Sequence, residues 1–127
     1  MARILIVEAE KNIRELFALE LSEQGHDVIP IESCCNLAKK IQLFQPDLLV
    51  LGIKQIDLNG KEIFTEIHSF FKDLPIIIWT SCNSQKHQTA MIETDYYVIK
   101  HYDLTELKAK IKVALEARDY IFDRAIV

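Results

Sequence analysis

Two spacings of apolar residues alternate along this chain. Arg3-Ile-Leu-Ile-Val7 is a short run of branched residues and reads as a strand buried on both faces. From Lys11 the spacing becomes helical, with Ile13, Leu16, Phe17 and Leu21 on one side and Gly25 as the stop signal. Val28 to Ile31 predicts a second strand, placed at a sheet edge by Pro30, which has no N–H to donate. Ser33 is a candidate cap for a second helix with Cys34, Leu37, Ala38, Ile41 and Phe44 facing inward. Leu48 to Leu51 predicts the most buried strand, followed by a loop over 52–60. A third helix then carries Ile63, Phe64, Ile67, Phe70 and Phe71 on one face.

Pro75 to Thr80 predicts a fourth strand and Tyr96 to Ile99 a fifth. The polar stretch 81–88 gives a weak helical signal that improves at Ala90, Met91 and Ile92. Asp103 and Glu106 form a capping box for the last helix, whose inner stripe is Leu107, Ile111, Ala114 and Leu115. Five strand–helix units without repeats or low-complexity linkers predict an α/β domain with a parallel sheet covered on both faces. One reversal of strand order opens a crevice at the carboxyl ends of the strands. The loops that line it are 8–11, 52–60, 80–82 and 100–103.

Composition narrows the chemistry. The 127 residues suit one domain with one core, and half of them are apolar. No apolar run is long enough for a membrane span, and Met1 to Val7 is too short and strand-like for a secretory signal, which points to the cytoplasm. Cys34, Cys35 and Cys82 suit reduced thiols, and no spacing suggests a zinc site. His26, His68, His87 and His101 are scattered singly and read as surface or packing residues. The net charge of −4 disfavours nucleic acid and anionic lipid. Lys108, Lys110, Lys112 and Arg118 read as the wet face of the last helix, with Glu106 spaced to pair with Lys110. Gly25, Gly52 and Gly60 are the only glycines, so neither G-x-G-x-x-G nor a P-loop exists. Glu8-Ala9-Glu10 after the first strand would repel a phosphate.

Five blocks together carry a resemblance: I-L-I-V-E-A-E-K-N-I at 4–13, P-D-L-L-V-L-G-I-K at 46–54, N-G at 59–60, I-I-W-T-S at 77–81 and Y-Y-V-I-K at 96–100. In order and spacing they are similar to the receiver domain of bacterial response regulators, over about residues 2–117. The resemblance implies a three-layer (βα)5 doubly wound sandwich of the flavodoxin-like, CheY-like kind, with strand order 2-1-3-4-5. In that family an acidic pair after strand one and an aspartate after strand three hold Mg²⁺, and that aspartate takes a phosphoryl group from a histidine kinase. A Thr or Ser after strand four and a Lys after strand five contact the phosphoryl group, and a strand-five aromatic switches rotamer.

Carried across, these roles divide. Thr80, Lys100 and Tyr97 match the hydroxyl, the lysine and the switch aromatic. Glu8 stands at the first acidic position, Ala9 where the direct metal ligand belongs, and Gly52 at the phosphoacceptor position. Mg²⁺ demands oxygen ligands in near-octahedral array, and only Glu8 and Glu10 remain as acidic candidates. Phosphoryl transfer needs an oxygen nucleophile in line, which glycine lacks. The resemblance therefore implies a non-enzymatic, degenerate receiver with weak or no Mg²⁺ binding that acts by phosphorylation-independent protein–protein contact. The alternatives are phosphorylation at a non-standard residue such as Asp57, or a small ligand or anion in volume vacated at Ala9 and Gly52.

Further expectations follow. Lys100 is expected to turn to Glu8, and Tyr97 to be a half-buried strand aromatic as readily as a switch. The Lys100–His101 bond is expected trans, because cis before a non-proline costs about 2.5–4 kcal/mol. The interval from Thr80 to Lys100 is about two residues short for the family, and Glu93-Thr94 replaces the usual Gly-Ala, so the fourth helix should be short or irregular. Partners implied are a histidine kinase or an output domain, through the face of the fourth helix, fifth strand and fifth helix, or a second copy in a homodimer. Leu19 and Tyr102 are candidate contacts off the core stripes. The receiver-like domain is assigned 1–117, and 118–127 extends the last helix or begins a linker.

Overall fold

The computed structural model describes residues 2–53, 58–80, 97–99 and 104–126. Their elements are β1 (Arg3–Val7), α1 (Lys11–Glu23), β2 (Asp27–Ile31), α2 (Leu37–Phe44), β3 (Leu48–Ile53), α3 (Leu58–Phe70), β4 (Ile76–Thr80), β5 (Tyr97–Ile99) and the C-terminal helix α4 (Thr105–Ile126). All strand pairings are parallel, and the order is β2-β1-β3-β4-β5. This is the flavodoxin/CheY-like α/β fold. Position 81–96, where the fourth helix is expected, lies outside the described residues, as do Asp57, Lys100, His101, Tyr102 and Asp103.

Strict alternation along the strands builds two cores. Ile4, Ile6, Leu48, Val50, Ile77 and Trp79 face α1 and α4, meeting Phe17, Leu21, Leu107, Ile111 and Ala114. Leu5, Val7, Leu49, Leu51, Ile76 and Ile78 face the other way, onto Leu37 and Ile41 of α2 and Phe64 and Ile67 of α3. Trp79 packs edge-on against Phe17 with ring centroids 4.5 Å apart. β2 is one of the two edge strands, and Pro30 lies there opposite Ile6. Gly25 takes φ +92° just beyond α1, a left-handed conformation that a Cβ would disfavour.

Several details depart from the sequence reading. α2 begins at Leu37, behind a left-handed Asn36. Ser33 does not cap it; its hydroxyl accepts from the Cys35 N–H at 3.3 Å and closes a local turn. The loop expected over 52–60 is shorter, since β3 runs to Ile53 and α3 starts at Leu58. Phe70 is 70% exposed rather than buried. α3 stops at Phe70, and the turn that follows carries Phe71 and Leu74 back over the core face instead. Lys108 and Arg118 are not simply a wet face. Lys108 Nζ reaches Glu20 on α1 at 2.5 Å, and Arg118 Nη1 reaches Asp47 at 2.7 Å.

Candidate functional site

The crevice lies where β1, β3 and β4 end. Glu8 directly follows β1, and its N–H donates to the Ile31 carbonyl at 3.0 Å, which continues the ladder one residue past the strand. By alternation from Ile4 and Ile6, its side chain belongs to the α1/α4 face of the sheet. There it is 1% exposed, the one buried charged side chain among the described residues.

Gly52 belongs to the same face by alternation from Leu48 and Val50. Its register partner on β4 is Trp79. Glu8, Gly52 and Trp79 thus form one row across the end of the sheet. A Cβ built on Gly52 would run into the Glu8 carboxylate oxygen Oε2 and would lie 2.6 Å from the Val7 carbonyl oxygen and 3.3 Å from Glu8 Cδ. The volume expected to be vacant in front of Gly52 is therefore filled by the longer arm of Glu8. A glycine is needed there for close approach, not for backbone twist.

Ala9 and Glu10 are exposed, and Glu10 is the N-cap of α1 without a side-chain capping bond. Sequence reasoning missed Arg14. From the first turns of α1 its Nη1 donates to the Glu8 carbonyl at 2.9 Å and to the Ala9 carbonyl at 3.4 Å, fixing the β1–α1 loop with a cation. Its spacing six residues after Glu8 is the only sequence signal it gives. Thr80 ends β4, in register with Ile53 of β3 and Ile99 of β5. Tyr97 opens β5 opposite Ile78. The side chains of Thr80 and Tyr97, and Lys100 and Asp57 altogether, lie outside what the structure describes.

No group of three His, Cys, Asp or Glu side chains among the described residues is arranged to hold a metal ion. At the crevice the described oxygen atoms include the Glu8 carboxylate, drawn over Gly52, the exposed Glu10 carboxylate, and two loop carbonyls that accept from Arg14. Trp79 Nε1, at the inner end of the row, is buried without a hydrogen-bond partner among the described residues.

Away from the crevice the polar residues have structural tasks. Asp47, at the opposite end of β3, accepts from the Arg3 N–H at 2.8 Å and from Arg118 at 2.7 Å. Burial works to raise its pKa, but those two donors and their charges outweigh it and hold the carboxyl below its ordinary value of 3.8. His26 Nδ1 accepts from the Ala2 N–H at 3.3 Å; burial first, then the positive N-terminus, lowers its pKa. His68 is exposed and stacks on Phe64 at 5.7 Å. Cys34 and Cys35 are free thiols, and burial raises the Cys34 pKa against the opposing charge of Lys40. No described helix is long and apolar enough to cross a membrane.

The family model for the response regulator receiver domain matches residues 4–112. The response regulator MprA of Mycobacterium ulcerans is 30% identical over 115 residues, 89% of this chain and 50% of that protein. ArlR of Staphylococcus saprophyticus is 33% identical over 118 residues, 91% of this chain and 53% of that protein. The chain thus spans about half the length of the curated relatives it matches. Among solved structures, the response regulator TrrA of Thermotoga maritima, crystallised with Mg²⁺-BeF, is 35% identical with a TM-score of 0.77, covering 91% of this chain and all of TrrA. TrrA is also solved in complex with the histidine kinase ThkA, with a TM-score of 0.76. NtrX of Brucella abortus, at 23% identity and a TM-score of 0.85, shares the fold over 98% of this chain and 29% of its own.

Proposed function

Since this chain belongs to the response regulator receiver domain family and is the receiver domain of a two-component response regulator, we propose that it signals without aspartyl phosphorylation, through protein–protein contact. One observation carries the proposal. Gly52, at the carboxyl end of β3 where the family's phosphoacceptor stands, offers no oxygen, and its side-chain space holds the Glu8 carboxylate. Phosphoryl transfer needs a nucleophile in line with the leaving group, and a backbone Cα cannot supply one.

The Mg²⁺ site of the family fails in parallel. Ala9 brings no carboxylate, and the loop carbonyls are bonded to Arg14, whose charge opposes a second cation. The domain is on this reading no enzyme, and no step runs through a metal. What remains is surface. TrrA's complex with ThkA makes a histidine kinase one partner class to carry over, and an output domain is the other. The face we assign to them includes β5 and α4, where Val113 is an exposed apolar residue. Leu19 on α1, 60% exposed, is a second candidate contact.

The test is incubation with acetyl phosphate and Mg²⁺ followed by intact mass and peptide mapping. The expected result is no phosphoryl adduct. A covalent adduct, at Asp57 or at any other residue, overturns the proposal.

A further inference from the structure

We infer that the last two turns of α4 dock into a groove at the Asp47 end of a second copy of this chain, giving a reciprocal two-fold dimer. The inference goes beyond the phosphorylation-independent reading and needs nothing from the crevice, which lies at the other end of the strands.

The groove has a volume of about 770 Å³. Ile41 and Pro46 line it from the α2 side, Phe70, Phe71 and Leu74 from the end of α3, and Arg118 from α4. Phe71 and Leu74 also pack on the core, whereas Phe70 is 70% exposed. Phe70 is therefore the ring with most apolar surface left to cover.

α4 supplies the occupant. The Asp47 N–H donates to the Arg3 carbonyl at the start of β1, so the Arg118–Asp47 pair marks where α4 passes the end of the sheet. The helix continues unbroken to Ile126, and residues 119–126 extend it by about 12 Å at 1.5 Å per residue. Their sequence, DYIFDRAI, includes Tyr120, Ile121, Phe122 and Ile126. Two turns of helix are marginal in water by themselves, and helices in proteins are held mostly by packing of an apolar face.

The chain's own groove is out of reach, because an unbroken helix leading away from Arg118 cannot turn back onto the wall that Arg118 forms. A second copy removes that obstacle. When two copies meet with their Asp47 ends facing, a two-fold axis sets the α4 ends antiparallel. Each end then passes beside the partner's Arg118, where the partner's groove lies. The same patch serves both copies, so the assembly closes at two. Charge agrees with this pairing: the groove carries Lys72 beside Asp73, and the helix end carries Asp123 beside Arg124. An antiparallel meeting offers each of these a charge of opposite sign. Two short helix ends place the contact at or below about 1,200 Å² of buried area, the range of weak association.

Sedimentation equilibrium over a concentration series up to about 1 mM tests this. The unsubstituted chain is expected to dimerise reversibly. Phe70→Glu alters the groove, and Ile121→Gln/Phe122→Gln/Ile126→Gln alters the helix end with a residue that keeps it helical. Each variant should weaken the dimer at least tenfold. At low micromolar concentration, where the chain is monomeric, circular dichroism of both variants should match that of the unsubstituted chain. An equimolar mixture of the two variants should associate more tightly than either alone, because one intact helix end meets one intact groove. A chain that stays monomeric throughout the series would overturn the inference. So would a dimer indifferent to both variants, which would place the contact on another face. Loss with the helix-end variant alone would set the two helix ends against each other, and loss with Phe70→Glu alone would give the groove a different occupant. Either result, or a mixture no tighter than its components, would be equally fatal.

Discussion

At the amino end of β3 the Asp47 carboxylate accepts from Arg3 and Arg118, and so joins β1, β3 and α4 by hydrogen bonds. Its lowered pKa makes it an acid-sensitive joint. The unfolded chain binds a proton at Asp47 before the folded one does, so stability is complete above 3.8 and falls as pH drops through the folded value. His26 acts in the same direction at a higher pH. With its folded pKa below 6.5, its contribution is complete above 6.5 and is lost as the pH falls toward the folded value. Thermal denaturation between pH 7 and pH 3 should therefore show two successive losses. Asp47→Asn should flatten the lower one at a cost near pH 7 of about 1 kcal/mol, typical of a partly exposed pair. His26→Gln should remove the upper one. An acid limb unchanged in both variants would contradict these assignments.

α3 illustrates how an element's orientation is settled by its ends. Phe64 and Ile67 are buried while Phe70 is exposed, although all three fit one broad helical stripe. The chain leaves the helix at Phe70, and Phe71 then takes the covering position, its N–H still donating to the Ile67 carbonyl at 2.9 Å. Ile67→Ala should therefore destabilise by about 2–5 kcal/mol, as expected for a buried aliphatic residue. Phe70→Ser should change stability by no more than about 0.5 kcal/mol. Urea denaturation of both variants checks the orientation. A large loss at Phe70 would mean that this end of α3 packs inward. The ends of α1 and α4 are joined differently, by the half-buried ion pair of Lys108 with Glu20.

Across the whole molecule, two cores separated by one sheet leave the crevice end and the Asp47 end with distinct tasks. The first carries the row of Glu8, Gly52 and Trp79, and in the second the Asp47–Arg118 and Arg3–Asp27 ion pairs tie strands and helix together. α4 runs from Thr105 to Ile126, about 33 Å at 1.5 Å per residue, and among its described side chains the last one packed on the core is Leu115. A chain ending at residue 117 loses the Arg118–Asp47 pair but keeps the buried stripe Leu107, Ile111 and Ala114. It should fold cooperatively, with a melting temperature lower by about 3–5 °C, which corresponds to roughly 1 kcal/mol in a domain of this size. Failure of this shorter chain to fold would show that residues 118–127 belong to the folding unit.

The amino-acid order alone determined the alternation of strands and helices, the two-faced parallel sheet, the edge position of β2 and the stop at Gly25. These follow from local periodicity and from what proline and glycine can do, so they can be read over a few residues. The absence of a nucleophile at 52 was equally plain, because a missing side chain is missing in any fold. Three things waited for tertiary structure: the reach of Glu8 across to Gly52, the hold of Arg14 on the β1–α1 carbonyls, and the pairs Glu20–Lys108 and Asp47–Arg118. Each depends on how far a long side chain extends after its backbone is placed, and the two ion pairs join residues 88 and 71 positions apart. Distance along the chain carries no record of such contacts; only the packing of helices on the sheet brings those groups together.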